Sequence, residues 1–511
     1  MKFYSPEPEI KITRWFKEPY KSIITAARTC YSGSGIIEDD KIKHKYEGLV
    51  SDLFQAGHHT TFQHAQFQFS IANVSRHAVW SFLHSHPFYN SEQVSQRYVT
   101  VKKGNYSIPP FSSRGRSIYE SGVLMQMSAY EKLRKLLFSA TSEEYFLRFP
   151  GRKKVREKYE KEIDKKTQEI ARYVLPVSTF TYLYHTISAI TLLRYLRICK
   201  LHDTPFEQTI IAQKMADEVL KIDPDYEMIL EKPLESDELP EYQFINGSPD
   251  RNPAKFRREF DDELNGKTSL LIDYKIRNQE SIADAVREIL GISKGELDDE
   301  SAIALSIDPA QNSIFGEKLN LTTHDKLTRA LHHASYTFKK KISHTADSQN
   351  QRHRMTPASR PILNAHLDDE PDYIIPVLIQ KSEPALQLYK ETMEKSWDSM
   401  TKLRKLGESP EFISYLLPNS VPIRFTESSD LLNLHHKHSM RLCYLAQEEI
   451  WKASLEEALQ ISEINPIVGK YLLPPCTLRK ISGAKPFCPE GKRYCGEPVW
   501  NYSRKEYKRT I

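Results

Sequence analysis

Residues 173–193 read YVLPVSTFTYLYHTISAITLL, and residues 415–434 read YLLPNSVPIRFTESSDLLNL. Each stretch begins with a tyrosine followed by a Leu-Pro pair, and the first continues into a largely apolar run. The first stretch carries no formal charge, but Pro176, His185 and several Ser and Thr residues are poorly soluble in hydrocarbon, so we expect a buried helix and not a membrane span. The recurrence of one pattern so far along the chain indicates a duplicated unit.

Two further pairs of segments recur in the same order. Residues 10–30, IKITRWFKEPYKSIITAARTC, predict a strand followed by a helix, as do residues 268–290, TSLLIDYKIRNQESIADAVREIL. Residues 58–75 and 325–343 both place a histidine shortly before an aromatic-x-Phe strand. Three matches in one order indicate two copies of one domain.

These matches set the expected organisation of the chain. We expect an α+β fold of two tandem units, each a small sheet flanked by long helices. Unit 1 is expected to span residues 1–240 and unit 2 residues 266–465. Residues 241–265 are predicted to be a linker, and residues 466–511 form a cysteine-containing tail.

The amino-acid composition and the net charge argue against some classes of function. A net charge of +5 over 511 residues, with 39% apolar side chains, predicts a globular protein that binds neither nucleic acid nor membrane. The opening residues have no apolar stretch of signal-peptide type, so we expect a cytoplasmic protein. The charged run at residues 151–168, GRKKVREKYEKEIDKKTQ, mixes both signs at helical spacing and predicts a solvated helix face.

Two motif fragments lie in different units. Residues 349–354 of unit 2 read QNQRHR, and residues 95–98 of unit 1 read SQRY. Joined, they resemble the R-H-R-x-x-S-x-N-x-x-S-x-R-Y signature of the flavin-dependent thymidylate synthases, with the Gln three residues ahead of the first Arg. Each unit keeps the half that the other has lost.

Other family features divide between the units in the same way. The G-H-x-[ST]-x-x-E-H segment of that family resembles residues 57–64, GHHTTFQH, and the Arg before the Leu-Pro pair corresponds to Arg172. The Arg that acts on the pyrimidine, followed by A-Q-x-E-I, resembles Arg441 and residues 446–450 of unit 2, whereas unit 1 has Cys199 at the position of that Arg.

The resemblance implies dUMP methylation with FAD, and with NADPH and methylenetetrahydrofolate as co-substrates. In the family, four subunits build the sites at their interfaces, so we expect a homodimer that forms a pseudo-tetramer. Arg352 and Arg441 are the expected catalytic residues. The expected substrate-binding residues are Gln349, Arg352, Arg441, Gln93, Ser95, Gln96, Arg97 and Arg172. The expected FAD-binding residues are His58, Thr60, Arg352, His353, Arg354 and His436.

The chemistry of dUMP suits these residue types. A nucleotide monophosphate is a dianion, which serine hydroxyl groups and Arg97 would bind through charge-assisted hydrogen bonds. Methylation at C5 of uracil needs an electron-rich ring, which a guanidinium such as that of Arg441 favours by stabilising the ionised form.

Two alternatives remain at this point: a flavin enzyme that modifies another pyrimidine nucleotide, and a non-catalytic nucleotide-binding homologue. We assign no metal. His435–His438 and the tail cysteines Cys476, Cys488 and Cys495 are of ligand type, but the cysteines lack the short C-x-x-C spacing of structural zinc sites.

Overall fold

The computed structural model describes residues 1–42, 47–248 and 251–509, which contain two four-stranded antiparallel sheets. The first sheet has the order β1-β2-β4-β3 and the second the order β5-β6-β8-β7, which is the same order displaced by four strands. The predicted α+β fold of two tandem units is therefore confirmed. The strands are β1 (Glu9–Trp15), β2 (Gln66–Ser75), β3 (Asn90–Gln93), β4 (Phe180–Ser188), β5 (Ser269–Tyr274), β6 (Ser335–Ser343), β7 (Ala358–Ser359) and β8 (Pro422–Asp430).

Helices flank both sheets. In and after unit 1 they are α1 (Pro19–Thr29), α2 (Glu47–Gln55), α3 (Arg76–His84), α4 (Ser113–Arg148), α5 (Glu160–Ala171), α6 (Ala189–Ile198), α7 (Pro205–Ile222), α8 (Pro240–Gly247) and α9 (Pro253–Leu264). From unit 2 onward they are α10 (Asn278–Leu290), α11 (Asp299–Ile307), α12 (His344–Asn350), α13 (Val377–Gln380), α14 (Glu383–Lys405), α15 (Pro410–Ser414), α16 (Leu431–Arg441), α17 (Glu448–Ile464), α18 (Pro466–Gly469) and α19 (Pro475–Ile481). Within the described part of the chain, none of them is both long and apolar enough to cross a bilayer.

The stretch at residues 173–193 does not form the single buried helix expected from its sequence. Its centre is strand β4, and only its end enters helix α6. Leu183 and His185 are buried while Tyr182 and Tyr184 are exposed, which is the alternation of a strand. Its aromatic and β-branched residues favour this conformation, and the tyrosines on the outer face made the run look uniformly apolar.

The described residues of the predicted linker and of the tail form helices and turns. Residues 241–265 carry most of α8 and all of α9, whose Phe260 and Leu264 are buried. The tail continues the packing of unit 2, because Val468 and Leu472 belong to its core. The domain boundaries at residues 240 and 465 remain predictions.

The two units meet where the Leu-Pro segments cross. The amides of Asn419 and Ser420 donate to the carbonyl groups of Leu175 and Tyr173, at 2.8 and 3.0 Å. The equivalent pair runs in the other direction: the amides of Val177 and Ser178 donate to the carbonyl groups of Leu417 and Tyr415, at 2.8 and 3.1 Å. This reciprocity defines a pseudo-twofold axis, as in an isologous dimer interface.

A buried side-chain cluster accompanies each half of the crossing. In unit 1, Glu207 accepts hydrogen bonds from the amide and hydroxyl of Ser75, at 2.7 and 2.6 Å, and from the hydroxyl of Tyr415 of unit 2 at 2.7 Å. In unit 2, Glu449 accepts the same bonds from Ser343, and Tyr173 of unit 1 donates at 2.7 Å. We call this pair of clusters the tyrosine clasp. Each unit thereby supplies a tyrosine hydroxyl to a buried glutamate of the other, beside the serine that caps the adjacent helix.

The three largest hydrophobic clusters of the described residues reflect this arrangement. Each unit has a core of its own between its sheet and its helices. The third core is shared, because α4 of unit 1 packs against α14 of unit 2 and buries residues such as Tyr130 and Trp397. The two units therefore form a single structure with a continuous interior between them.

The tyrosine clasp gives a stability prediction. Tyr173→Phe and Tyr415→Phe each remove one hydrogen bond to a buried carboxyl group, so each variant is expected to lose about 1.5–3 kcal/mol of unfolding free energy. The loss should be larger for Tyr173→Phe, because the hydroxyl of Tyr173 also accepts a hydrogen bond from the side-chain amide of Gln447. Urea denaturation followed by tryptophan fluorescence measures them, with Tyr31→Phe as the control, since Tyr31 is 85% exposed. Two variants as stable as that control would contradict the role of the clasp.

Candidate functional site

A cavity of about 960 Å³ lies between the two units and the tail. Unit 1 contributes Arg97, Tyr98 and one face of α5, whereas unit 2 contributes Arg352 and the end of α16. Residues 489–494 of the tail form another part of the wall. The volume is within the range of ligand-binding sites. The fold thus brings Arg97 of unit 1 together with Arg352 and Arg441 of unit 2 in one chain.

Arg97 is fixed from both sides of this cavity. Its Nε donates to Glu169 of α5, and its Nη2 donates at 2.7 Å to the carbonyl of Leu445 in unit 2. Burial alone would lower the pKa of Arg97, but Glu169 outweighs this effect and raises it. Arg97 therefore keeps its positive charge and bridges the two units.

Arg441 lines the cavity from the end of α16. Its Nη2 donates at 2.6 Å to the carbonyl of Gln349, while its buried Nε has no hydrogen-bond partner among the described residues. Burial, followed by the nearby charges of Arg97 and Arg352, lowers the pKa of Arg441 to about 10. A buried guanidinium with an unused donor is costly unless an anion or a polar ligand binds to it.

Arg352 lies at the mouth of the cavity. Its side chain is 64% exposed, and its Nη2 donates at 2.9 Å to Glu92 of unit 1. An exposed ion pair of this kind is weak, so Arg352 is free to rotate toward a ligand.

Gln349 connects the cavity to the tyrosine clasp. Its side-chain amide donates to Gln447, and the amide of Gln447 donates to the hydroxyl of Tyr173. The carbonyl of Gln349 also accepts from Arg441. The unit interface therefore determines the position of the Arg441 guanidinium.

The other four substrate-binding residues predicted in unit 1 are outside the cavity wall and form hydrogen bonds with neighbouring residues. Gln96 is buried and accepts at 3.1 Å from Asn419, and Arg172 is buried with its Nε donating at 3.2 Å to the carbonyl of Glu169. The hydroxyl of Ser95 accepts from the amide of Arg97 at 3.2 Å, and Gln93 donates at 3.1 Å to a threonine of β4. Direct contact of these four with a ligand stays a prediction.

The predicted FAD-binding residues divide into two groups. His436 lines the cavity, and its ring lies 5.9 Å from that of His353, whose buried Nε2 has no described partner. Arg354 instead extends to unit 1, donating at 3.1 Å to the carbonyl of Pro87.

The second group consists of His58 and Thr60, which lie away from the cavity. His58 and Thr60 are exposed, at the start of a short 3-10 turn after α2, and both are outside the cavity wall. A single chain therefore does not bring these two residues to the site formed by the other predicted residues.

Four lysines were missed as site residues. Lys158, Lys161, Lys165 and Lys166 lie in the run predicted to be a solvated face; the first three are indeed exposed, and all four also line the cavity. Burial, together with the charge of Arg509, lowers the pKa of Lys166 to about 8. The density of lysine in this run was the available signal, and only the fold shows that these side chains face unit 2.

The histidine run at the end of α16 is divided among different surroundings. His435 packs on Phe315 with ring centroids 4.7 Å apart, His438 bonds to Glu457 at 2.9 Å, and His436 faces the cavity. Neighbouring helical residues point in different directions, so these side chains do not share one ligand-binding point.

The cavity wall is strongly basic. Beyond the predicted arginines, eight lysines and arginines line it, against four glutamates. These cations are Lys158, Lys161, Lys165, Lys166, Lys318, Arg479, Lys492 and Arg493, and the glutamates are Glu162, Glu169, Glu317 and Glu490. Such a field concentrates anionic ligands.

Comparisons with known proteins agree with this division into two units. A sequence model of the thymidylate synthase complementing protein family matches residues 11–225 and 270–467. The chain is similar to a flavin-dependent thymidylate synthase from Clostridium tetani, with 29% identity over 222 residues, covering 42% of this chain and 84% of that protein. For the flavin-dependent thymidylate synthase from Thermococcus kodakarensis, identity is 30% over 172 residues, covering 32% of this chain and 67% of that protein.

A solved structure is also similar in part. A UMP/dUMP methylase from Streptomyces cacaoi bound with 5-Br dUMP covers 45% of this chain and 96% of its own, with 17% identity and a TM-score of 0.33.

The Arg97–Glu169 pair predicts how stability depends on pH. Burial would raise the pKa of Glu169, but Arg97, Lys166 and Arg172 outweigh it and lower the pKa to about 2. A carboxyl group whose pKa is lower in the folded than in the unfolded state stabilises the fold above about pH 5, and this contribution is lost as the pH falls toward 2.

Glu169→Gln should therefore be less stable than the natural protein at pH 7, and the difference should shrink by about 3 kcal/mol between pH 6 and pH 2. Denaturation at a series of pH values measures it. Glu143→Gln, on an exposed position of α4, is the control. A difference for Glu169→Gln that stays constant with pH would contradict the pairing.

Proposed function

The chain belongs to the thymidylate synthase complementing protein family, and we propose that it acts as a flavin-dependent thymidylate synthase. In the proposed reaction, dUMP, methylenetetrahydrofolate, NADPH and a proton give dTMP, tetrahydrofolate and NADP⁺. The folate supplies the one-carbon unit, NADPH supplies a hydride, and the hydrogen on C5 of the uracil leaves as a proton. The catalytic cavity would be the one between unit 1, unit 2 and the tail.

The observation that carries this proposal is the position of Arg441. Its guanidinium is buried, has an unused donor and lies near two other arginines, one from each unit. A uracil ring that bears developing negative charge at N3 and its carbonyl oxygens would satisfy that donor. Because the guanidinium is already fixed through Gln349, little reorganisation is needed during the reaction, which is the condition for electrostatic catalysis.

The phosphate of dUMP would bind toward unit 1. Arg97 is charged and held by Glu169, and lysines of α5 extend the positive surface around it. Arg352, with its weakly held side chain, would close on the nucleotide from unit 2. This arrangement places cations at both ends of a dianionic nucleotide.

The residues of unit 2 suit a flavin. His436 and Arg352 face the cavity, and the buried His353 Nε2 has no partner among the described residues. These side chains would hold the flavin nucleotide, with Arg354 supporting the loop through its bond to unit 1. When bound, a flavin supplies hydride transfer between NADPH and the one-carbon unit.

We propose that His58 and Thr60 reach this site from a second chain. Both side chains are exposed and outside the cavity wall of their own chain, and a homodimer would bring two tandem chains together as a pseudo-tetramer. In a symmetric dimer, each chain would lend this turn to the cavity of the other.

The activity test is release of tritium from dUMP labelled at C5, dependent on methylenetetrahydrofolate and NADPH. Arg441→Gln is expected to lower the rate of release at least tenfold, because it removes a charged hydrogen bond worth about 1.5–3 kcal/mol. Arg114→Gln, an exposed arginine on α4 outside the cavity, should be unaffected.

Other outcomes point to the alternatives. A yellow protein that binds dUMP but releases no tritium would favour another pyrimidine nucleotide as substrate. A colourless protein that cannot be loaded with FAD would favour a non-catalytic nucleotide-binding homologue. Either result would overturn the proposed reaction.

Mixing inactive variants tests which residues act within one chain. Arg97→Ala and Arg352→Ala should not complement each other when chains are exchanged, because both residues line the cavity of a single chain. Arg97→Ala and His58→Ala should complement, since a mixed dimer keeps one intact cavity. Random mixing of a symmetric dimer then restores about a quarter of the sites. Recovery by the first pair, or none by the second, would contradict this assignment.

A further inference from the structure

Four of the six cysteines converge on one small cavity. Cys476, Cys488 and Cys495 of the tail meet Cys443, which lies two residues after Arg441, around a space of about 20 Å³. Each of the four sulfur atoms is close enough to the other three for their charges to interact. All four are free thiols. The spacing of the three tail cysteines gives no sign of Cys443, which only the fold brings next to them.

We propose that these four cysteines bind one zinc ion with tetrahedral thiolate coordination. Soft thiolate ligands in a set of four are the usual structural zinc site. The space among them is about the size of one water molecule, which suits a single ion and excludes a larger ligand. This differs from the expectation of no metal.

The thiols must close in to bind the ion. Among the described residues, no group of three or more Cys, His, Asp and Glu side chains is already at metal-binding spacing. The four cysteines line the wall of one small cavity, and zinc binding requires their sulfur atoms to come to about 2.3 Å from the ion. Binding would release the thiol protons to solvent.

A metal crosslink would stabilise the tail, which has little regular structure and a small hydrophobic cluster. Residues 482–498 contain only turns and one short 3-10 segment, and the hydrophobic cluster beneath them is small. Segments of this kind are commonly stabilised by a metal or a disulfide because they bury little apolar surface. The loop between Cys488 and Cys495 also supplies Lys492, Arg493 and Tyr494 to the large cavity. A zinc ion would therefore fix one wall of that cavity.

Metal analysis of the full-length protein, purified under reducing conditions, tests the proposal. We expect one zinc ion per chain. The double variant Cys488→Ser/Cys495→Ser should lose it, while Cys30→Ser, an exposed cysteine elsewhere, should keep it. Protein that holds no zinc even after zinc is added, protein that holds iron, or a disulfide among the four cysteines would overturn the assignment.

A second test uses the natural sequence, so a folding defect of the variant cannot obscure the result. Removal of the metal with a chelator should make four additional thiols reactive toward a thiol reagent and should expose the tail to proteolysis. Added zinc should reverse both changes. Cobalt in place of zinc should give the visible absorption bands of a tetrahedral thiolate site. Unchanged thiol reactivity after chelation, or cobalt spectra without thiolate bands, would overturn the proposal.

Discussion

The crossing of the two Leu-Pro segments is the contact on which the rest of the molecule depends. Buried backbone groups must be paired, and here each unit supplies the partners for the other, with Tyr173 and Tyr415 reaching across to carboxylates. The same contact extends through Gln447 and Gln349 to Arg441. Interface stability and the geometry of the cavity therefore have one physical origin.

The sequence predicted the duplication because three ordered matches survive at different degrees of similarity. It also predicted that Arg97 and Arg352 would share a site, through the complementary halves of one signature, and that Arg441 would join them through a separate motif. It failed for β4, where tyrosines on the exposed face concealed the alternation of a strand. It also could not show that the lysines of α5 and Cys443 face other parts of the chain, because side-chain direction across an interface has no local sequence signal.

The two units have diverged in their interiors as well as at their surfaces. In unit 2, buried Lys340 lies between Glu427 and Glu457, at 2.8 and 2.6 Å. The strand registers place Ile71 and His185 of unit 1 at the positions of Lys340 and Glu427. Buried ion pairs contribute little more to stability than an apolar core. Unit 1 therefore has fewer charged side chains at the corresponding interior positions, and the shared fold tolerates both interiors.

Joining both units in one chain has a genetic consequence. In an assembly of identical subunits, one codon change reaches every site, so each residue must serve all the positions that it occupies. Here the codon for Arg441 and that for Cys199, at the corresponding position of unit 1, vary independently. Duplication therefore lets selection maintain one class of composite site while the other class drifts, and the scaffold that both share is inherited intact.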